Sequence, residues 1–82
     1  MKITHHAIKR YKERFGKRTT SGHNVKKHIR NKIKNSVELV YRDSGGSLNI
    51  VTDEFRAIIV NGVVTTITYK YPIRRENSNV VR

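Results

Sequence analysis

The chain has 82 residues, a formal net charge of +12 and no cysteine. This length fits one small domain, and the lack of cysteine excludes a disulfide framework and a thiolate metal site. No apolar run approaches the ~20 residues of a membrane span. We therefore expect a soluble cytoplasmic protein, with a single domain over residues 1–75 and a flexible tail over residues 76–82.

The positive charge is concentrated in the first half of the chain. Residues 1–36 hold twelve Lys/Arg and one carboxylate, whereas residues 37–82 hold six Lys/Arg and five carboxylates. This asymmetry is typical of a protein that lays one side against a polyanion, and nucleic acid is the usual candidate. If the basic residues served only solubility, we would expect them to be distributed more evenly along the chain. A membrane surface is disfavoured because neither predicted helix has a large exposed apolar face.

The first predicted element is a helix that begins after Thr4, a residue suited to cap its N-terminus. Apolar Ile8, Tyr11 and Phe15 recur at helical spacing, and Gly16 is a natural stop. This stripe predicts the side of the helix that packs against the rest of the domain.

The other side of the same helix is polar. His6, Arg10, Glu13 and Arg14 follow one another at offsets of four, three and one. At ~3.6 residues per turn, this spacing gathers an imidazole, a carboxylate and two guanidinium groups on one side. We regard this cluster as the candidate active site.

A second helix is predicted at about His23–Asn35, capped by Thr20 or Ser21. Its apolar positions form a narrow stripe of Val25, Ile29 and Ile33. Most other positions are basic, and like charges this close repel one another unless an anionic partner offsets them. The nucleic-acid-binding candidates of the two helices and their connection are Lys9, Lys12, Lys17, Arg18, Lys26, Lys27, Arg30, Lys32 and Lys34.

The second half of the chain is rich in β-branched residues. Four segments predict strands, namely Val37–Arg42, Leu48–Thr52, Phe55–Val60 and Val63–Tyr71. The pair Asn61-Gly62 is a strong signal for a hairpin between the last two, which we expect to be central in the sheet. The sequence therefore predicts an α+β fold, with two N-terminal helices packed on a three- to four-stranded antiparallel β-meander.

Four histidines raise the question of a metal site. Adjacent His5 and His6 diverge by ~100° on a helix, and His23 and His28 are five residues apart, which is off the favourable i+4 spacing. With no cysteine and no cluster of carboxylates, we expect neither a built-in metal nor a cofactor.

A ribonuclease without metal needs only a base, an acid and cations near the phosphate. His6 is a candidate for either proton transfer, and Glu13 is a candidate base if Arg10 and Arg14 keep it ionised. The two arginines are suited to grip phosphate. Hydroxyls that are candidates for further hydrogen bonds, if the last strand lies beside the first helix, belong to Thr66, Thr68 and Tyr69.

The ordinary alternative is structural. Glu13 then only pairs with Lys9, Lys17 or Arg10, and His6 only caps or packs. Composition and spacing alone favour this alternative over a working active site.

A resemblance adds to the case for catalysis. The string HAIKRYKER, from His6 to Arg14, resembles the H-A-x-x-R-x-x-E-R opening helix of small domains allied to the RelE/BrnT-like toxins. These domains belong to the barnase–EndoU–colicin–RelE ribonuclease superfamily, and the similarity extends over residues 3–71. It implies an antiparallel sheet carrying two N-terminal helices and endoribonuclease activity in many relatives. The resemblance implies that the functional residues are His6, Arg10, Glu13, Arg14, Thr66 and Thr68.

Three hypotheses follow for the function. The first is a toxin-type, metal-independent endoribonuclease acting on RNA, with an acidic antitoxin as protein partner. The second is a small non-enzymatic nucleic-acid-binding protein, phage- or plasmid-like in size. The third is a module that docks on an acidic surface of a host protein. All three predict binding that weakens with salt.

Overall fold

A computed structural model describes residues 1–16 and 21–70 of the chain. Within these ranges there are two helices and five strands. In chain order they are β1 (Lys2–Ile3), α1 (His5–Phe15), α2 (Gly22–Asn35), β2 (Val37–Arg42), β3 (Leu48–Thr52), β4 (Phe55–Val60) and β5 (Val63–Tyr69). The expected flexible tail, residues 76–82, lies outside the described residues, as do Lys17, Arg18, Thr20 and Tyr71.

Helix α1 begins and ends where its capping residues predict, and α2 begins after Ser21, one of its two predicted caps. The Thr4 hydroxyl accepts a hydrogen bond of 3.0 Å from the backbone N–H of Ala7, and the Ser21 hydroxyl accepts one of 3.2 Å from Asn24. These bonds satisfy N–H groups that have no partner inside the helix. At the end of α1, Gly16 adopts φ +69°, a left-handed conformation that glycine reaches without strain.

The predicted α+β class is confirmed, but the sheet has one strand more than expected. Its order is β1-β5-β4-β3-β2. Strands β2 to β5 form the antiparallel meander, whereas β1 pairs in parallel with β5, with Lys2 beside Val63 and Ile3 beside Val64. The expectation of a purely antiparallel sheet of three to four strands is therefore wrong, because the two residues before α1 add a parallel edge strand. Pairing places β4 at the centre, with β5 beside it.

The hairpin between β4 and β5 contains two local features that set the register. Asn61 and Gly62 both have positive φ, 52° and 76°, as a type I′ turn requires. Close to this turn, the register of the two strands shifts by one residue between Ile58 and Ile59. Thr65 is the extra residue on β5, and its hydroxyl donates a 3.1 Å hydrogen bond to the Ile58 carbonyl. Such a bulge changes which side chains of the strand face the core.

The hydrophobic core lies between the helices and one face of the sheet. Its largest fully buried side chains include Tyr11 of α1, Ile29 of α2, and Phe55 and Ile67 of the sheet. Helix α1 packs mainly on β5, and α2 extends towards β2 and β3. The helices thus form one layer, and the five-stranded sheet forms the other.

The opposite face of the sheet, which we call the open face because neither helix covers it, carries alternate residues of the strands, of which Asn49 and Val51 are buried. Direct pairing places Tyr41, Asn49, Ile58 and Thr66 in one row across it. Leu39, Val51, Arg56 and Thr68 form the next row. No helix in the described part of the chain is long and apolar enough to cross a membrane.

Candidate nucleic-acid interface and active site

The folded protein separates its charges by layer. The described residues up to 36, which form β1 and the two helices, hold ten Lys/Arg and a single carboxylate, Glu13. The described residues from 37 to 70, which form β2 to β5, hold three Lys/Arg and four carboxylates. The positive charge of the sequence is thus concentrated on the helical layer.

Most helical cations have no carboxylate partner among the described residues. The exceptions are Arg10, which pairs with Glu13, and Lys32, whose ammonium lies 3.0 Å from the Asp53 carboxylate. Lys32 is therefore partly neutralised by the β3–β4 turn. We call the remaining predicted contacts the cationic helix surface, which consists of Lys9, Lys12, Lys26, Lys27, Arg30 and Lys34.

His6, Arg10 and Glu13 lie together on the outer side of α1, as their spacing predicts. Arg10 donates from Nε to His6 Nε2 at 3.4 Å, and from Nη1 to Glu13 Oε1 at 3.1 Å. The guanidinium thus lies between a possible base and a carboxylate. Because His6 Nε2 accepts this bond, the proton of the neutral ring is assigned to Nδ1.

Arg14 is turned towards the sheet edge rather than into this cluster. Its Nη1 donates a 3.1 Å hydrogen bond to the carbonyl of Ile67 on β5. Its guanidinium carbon lies 6.0 Å from the ring centre of Tyr69, whose hydroxyl donates back to the Arg14 carbonyl at 3.4 Å. Tyr69 is 50% exposed. A half-exposed tyrosine beside an arginine offers a surface on which a base of a single strand can stack.

The structure does not bring Thr66 and Thr68 to the cluster on α1. Strand β5 does lie beside α1, as the hypothesis required, but Ile67 is the residue that faces the helix. Thr66 and Thr68 pair with Ile58 and Arg56 on the open face. Their hydroxyls are therefore separated from His6 and Glu13 by the sheet itself.

A second titratable cluster joins both helices to the β3–β4 turn. Glu54 accepts a 3.1 Å hydrogen bond from the Tyr11 hydroxyl, and its other oxygen lies 2.7 Å from His28 Nε2. The rings of Tyr11 and His28 are 5.7 Å apart. Sequence reasoning missed this cluster because 43 residues separate Tyr11 from Glu54. The only signal was an acidic residue in a turn opposite a basic helix.

The contact between Tyr11 and Glu54 predicts a pH effect on stability. Burial, and then the charge and hydrogen bond of Glu54, raise the pKa of Tyr11 far above its ordinary value. The folded state therefore keeps its proton when the unfolded chain loses it, above about pH 10. We expect the free energy of unfolding of the wild type to fall above this pH, and Tyr11→Phe to remove that part of the fall. Urea unfolding at a series of alkaline pH values measures it.

The matched control is Tyr69→Phe, which removes an exposed tyrosine hydroxyl. It should leave the alkaline decrease as in the wild type. If the free energy of unfolding of Tyr11→Phe decreased at alkaline pH as much as that of the wild type, the raised pKa of Tyr11 would be contradicted.

The described residues contain no group of three or more His, Cys, Asp or Glu side chains placed to hold a metal ion. Comparison of the chain with protein-family models, curated proteins and solved structures finds no match. The resemblance of the first helix to toxin-type ribonucleases therefore stays a prediction.

Proposed function

We propose that this protein binds RNA through the cationic helix surface and cleaves it without a metal at the His6–Arg10–Glu13 cluster. The observation that carries the proposal is the segregation of charge, with nine Lys/Arg and one carboxylate in the two described helices. Unneutralised cations on one layer provide a sequence-independent attraction for a phosphate backbone. The cluster lies on the same layer, so a bound strand has access to it.

The cleavage that suits these residues uses the 2′-hydroxyl of the RNA as nucleophile. The 2′-oxygen forms a bond to the adjacent phosphorus, and the bond from phosphorus to the 5′-oxygen breaks. One of His6 and Glu13 takes the proton of the 2′-hydroxyl as the base, and the other, in its protonated form, gives a proton to the leaving 5′-oxygen as the acid. Arg10 stabilises the charge of the phosphorane.

Arg14 contributes differently in this proposal. One nitrogen of its guanidinium is held by the Ile67 carbonyl, so the group is fixed beside Tyr69. We propose that Tyr69 stacks on a base while Arg14 contacts the neighbouring phosphate. The strand would then cross α1 from the sheet edge towards the cationic helix surface.

A second candidate function is RNA binding without cleavage. It is favoured by one specific observation, namely that Arg10 already has hydrogen bonds to both His6 and Glu13. For catalysis these bonds have to be exchanged for bonds to phosphate, whereas binding needs no such exchange. In either case an acidic protein, such as an antitoxin, would compete for the same cationic helix surface.

The test is to incubate the purified protein with labelled single-stranded RNA in excess chelator, and to analyse it on denaturing and native gels. Cleavage products support the ribonuclease. Intact RNA with a shifted band supports the second candidate. RNA that is neither cut nor shifted contradicts both, and would favour docking on an acidic protein.

A further inference from the structure

Strand β2 forms a long edge of the sheet that has no partner strand in the described part of the chain. The sheet order β1-β5-β4-β3-β2 places it at the border, where β3 alone pairs with it. The other border is formed by β1, which has two residues against six in β2. One row of backbone N–H and C=O groups of β2 therefore points away from the sheet. Such an edge is a template for pairing with another strand.

The side chains of β2 are both exposed and apolar. Val37, Leu39 and Val40 are 42%, 49% and 52% exposed, and they make up half of the six large hydrophobic side chains that are exposed in the described residues. No residue of β2 is buried. Because strand residues alternate between faces, Leu39 lies on the open face and Val40 on the face towards the helices. Apolar side chains on both faces favour the addition of a further strand at this edge.

The sequence of β2 is complementary to itself when two copies run antiparallel. In a two-fold symmetric pair one residue must face its own copy, because hydrogen-bonded and non-hydrogen-bonded pairs alternate along the strands. Centring the pair on Val40 places Leu39 opposite Tyr41 of the second copy. It also places Glu38 opposite Arg42 of the second copy. Apolar side chains thus meet at the three central positions, and opposite charges meet at both ends.

The neighbouring symmetric registers lose this match. Centring the pair on Leu39 places Glu38 opposite Val40, and centring it on Tyr41 places Val40 opposite Arg42. Each of these registers sets a charged side chain against an apolar one. The residues of β2 themselves therefore select the register that is centred on Val40.

Both charged residues have atoms free for a second copy. The Lys70 ammonium lies 2.6 Å from Glu38 Oε1, and Oε2 takes no part in that bond. Arg42 donates to the Gly46 carbonyl through Nη1 at 2.9 Å, which leaves Nε and Nη2 for another acceptor. Glu38 and Arg42 are both exposed. Because the register with β3 shifts at Glu38, the regular part of β2 begins at Leu39 and the two ion pairs lie at its ends.

We propose that two copies of this chain pair antiparallel through β2, with Val40 at the two-fold axis. Five strands from each copy would then form one continuous sheet. A two-fold axis perpendicular to this sheet keeps the helices of both copies on the same face. The dimer thus presents two cationic helix surfaces on one side. The inference does not rest on the proposed function, because the contact uses no residue of the helical site.

The association is expected to be weak and to strengthen with salt. Each copy has a net charge of +12, so two copies repel one another until salt screens the charge. One six-residue strand from each copy makes a small contact, as is typical of transient interfaces. We therefore expect a monomer at low micromolar concentration and a dimer at higher concentration. This salt dependence has the opposite sign to that of RNA binding.

The test is sedimentation equilibrium of the full chain at low and high salt, at protein concentrations from about 10 μM to about 1 mM. Val40→Lys places two like charges at the two-fold axis and should weaken the dimer about tenfold or more. Val60→Lys is the matched control, because Val60 is 41% exposed at the end of the inner strand β4 and the substitution adds the same charge. It should dimerise as the wild type does.

Charge reversal tests the register. Glu38→Arg or Arg42→Glu alone sets like charges opposite one another, so each should weaken the dimer. The double variant Glu38→Arg/Arg42→Glu restores opposite charges and has the net charge of the wild type, so it should regain most of the lost affinity. Circular dichroism checks that each variant is folded.

Three results would overturn the proposal. They are a wild type that stays monomeric at the highest concentration and high salt, a Val40→Lys variant that dimerises like the wild type, and a double variant that associates no more tightly than the single ones. Hydrogen exchange of the outward amides of β2 identifies any other occupant. Protection that rises with protein concentration supports the second copy. Protection that is independent of concentration would mean that residues 71–82 of the same chain cover the edge, and would contradict it.

Discussion

Replacing His6 with alanine is expected to lower the rate of RNA cleavage by about 10²- to 10⁴-fold, the usual contribution of a positioned acid or base. The substitution removes the imidazole that accepts from Arg10 Nε, and leaves the bond between Arg10 and Glu13 intact. His6 is exposed, so the fold should be retained. Initial rates on a labelled RNA in excess chelator measure the effect, and circular dichroism checks the fold.

The chain offers a close control in the preceding residue. His5 is also exposed and lies on the same turn of α1, but its side chain is rotated by ~100° from that of His6. His5→Ala should therefore cleave at nearly the wild-type rate. Equal losses for the two variants, or none for His6→Ala in a protein that cleaves RNA, would remove His6 from the mechanism.

Phe55→Ala is expected to give the largest loss of stability. Phe55 is fully buried, and its ring contacts that of Tyr11 edge-on at 6.0 Å between centres. Removing a buried phenylalanine costs about 3–5 kcal/mol through lost transfer free energy and the resulting cavity. A domain of this size has a free energy of unfolding of roughly 4–12 kcal/mol. Urea unfolding should show a much lower midpoint or no folded state at 37 °C.

Val40→Ala serves as the comparison on the same sheet. Val40 is 52% exposed on the edge strand β2, so its truncation should change stability by no more than about 0.5 kcal/mol. Similar losses for both variants would mean that the core does not lie where the structure places it.

Local signals in the sequence predicted much of this fold. Thr4 and Gly16 bound α1, and Ser21, one of two predicted caps, begins α2, because capping depends on residues within a few positions of one another. Asn61-Gly62 predicted the hairpin for the same reason, since two positive φ values are a local requirement. The gathering of His6, Arg10 and Glu13 likewise needs only the period of one helix.

The features that sequence reasoning missed all depend on contacts between distant parts of the chain. Strand β1 has two residues, too few for a period, and it forms by pairing with β5 some 60 residues later. The face of Thr66 and Thr68 follows from strand order and the bulge at Thr65. The Tyr11–Glu54–His28 cluster assembles only once the sheet has formed.

The central claim is that the cationic helix surface, and not the sheet layer, attracts the phosphate backbone. Its most direct test is the slope of log K against log salt for single-stranded RNA, measured for the wild type and for Lys9→Gln/Lys27→Gln/Lys34→Gln. These three lysines are exposed and have no ion pair among the described residues. At about 0.7 per neutralised phosphate, the triple variant should lose roughly 2 from the slope, whereas Arg42→Gln on the sheet should leave it unchanged. A triple variant with the wild-type slope would contradict the claim.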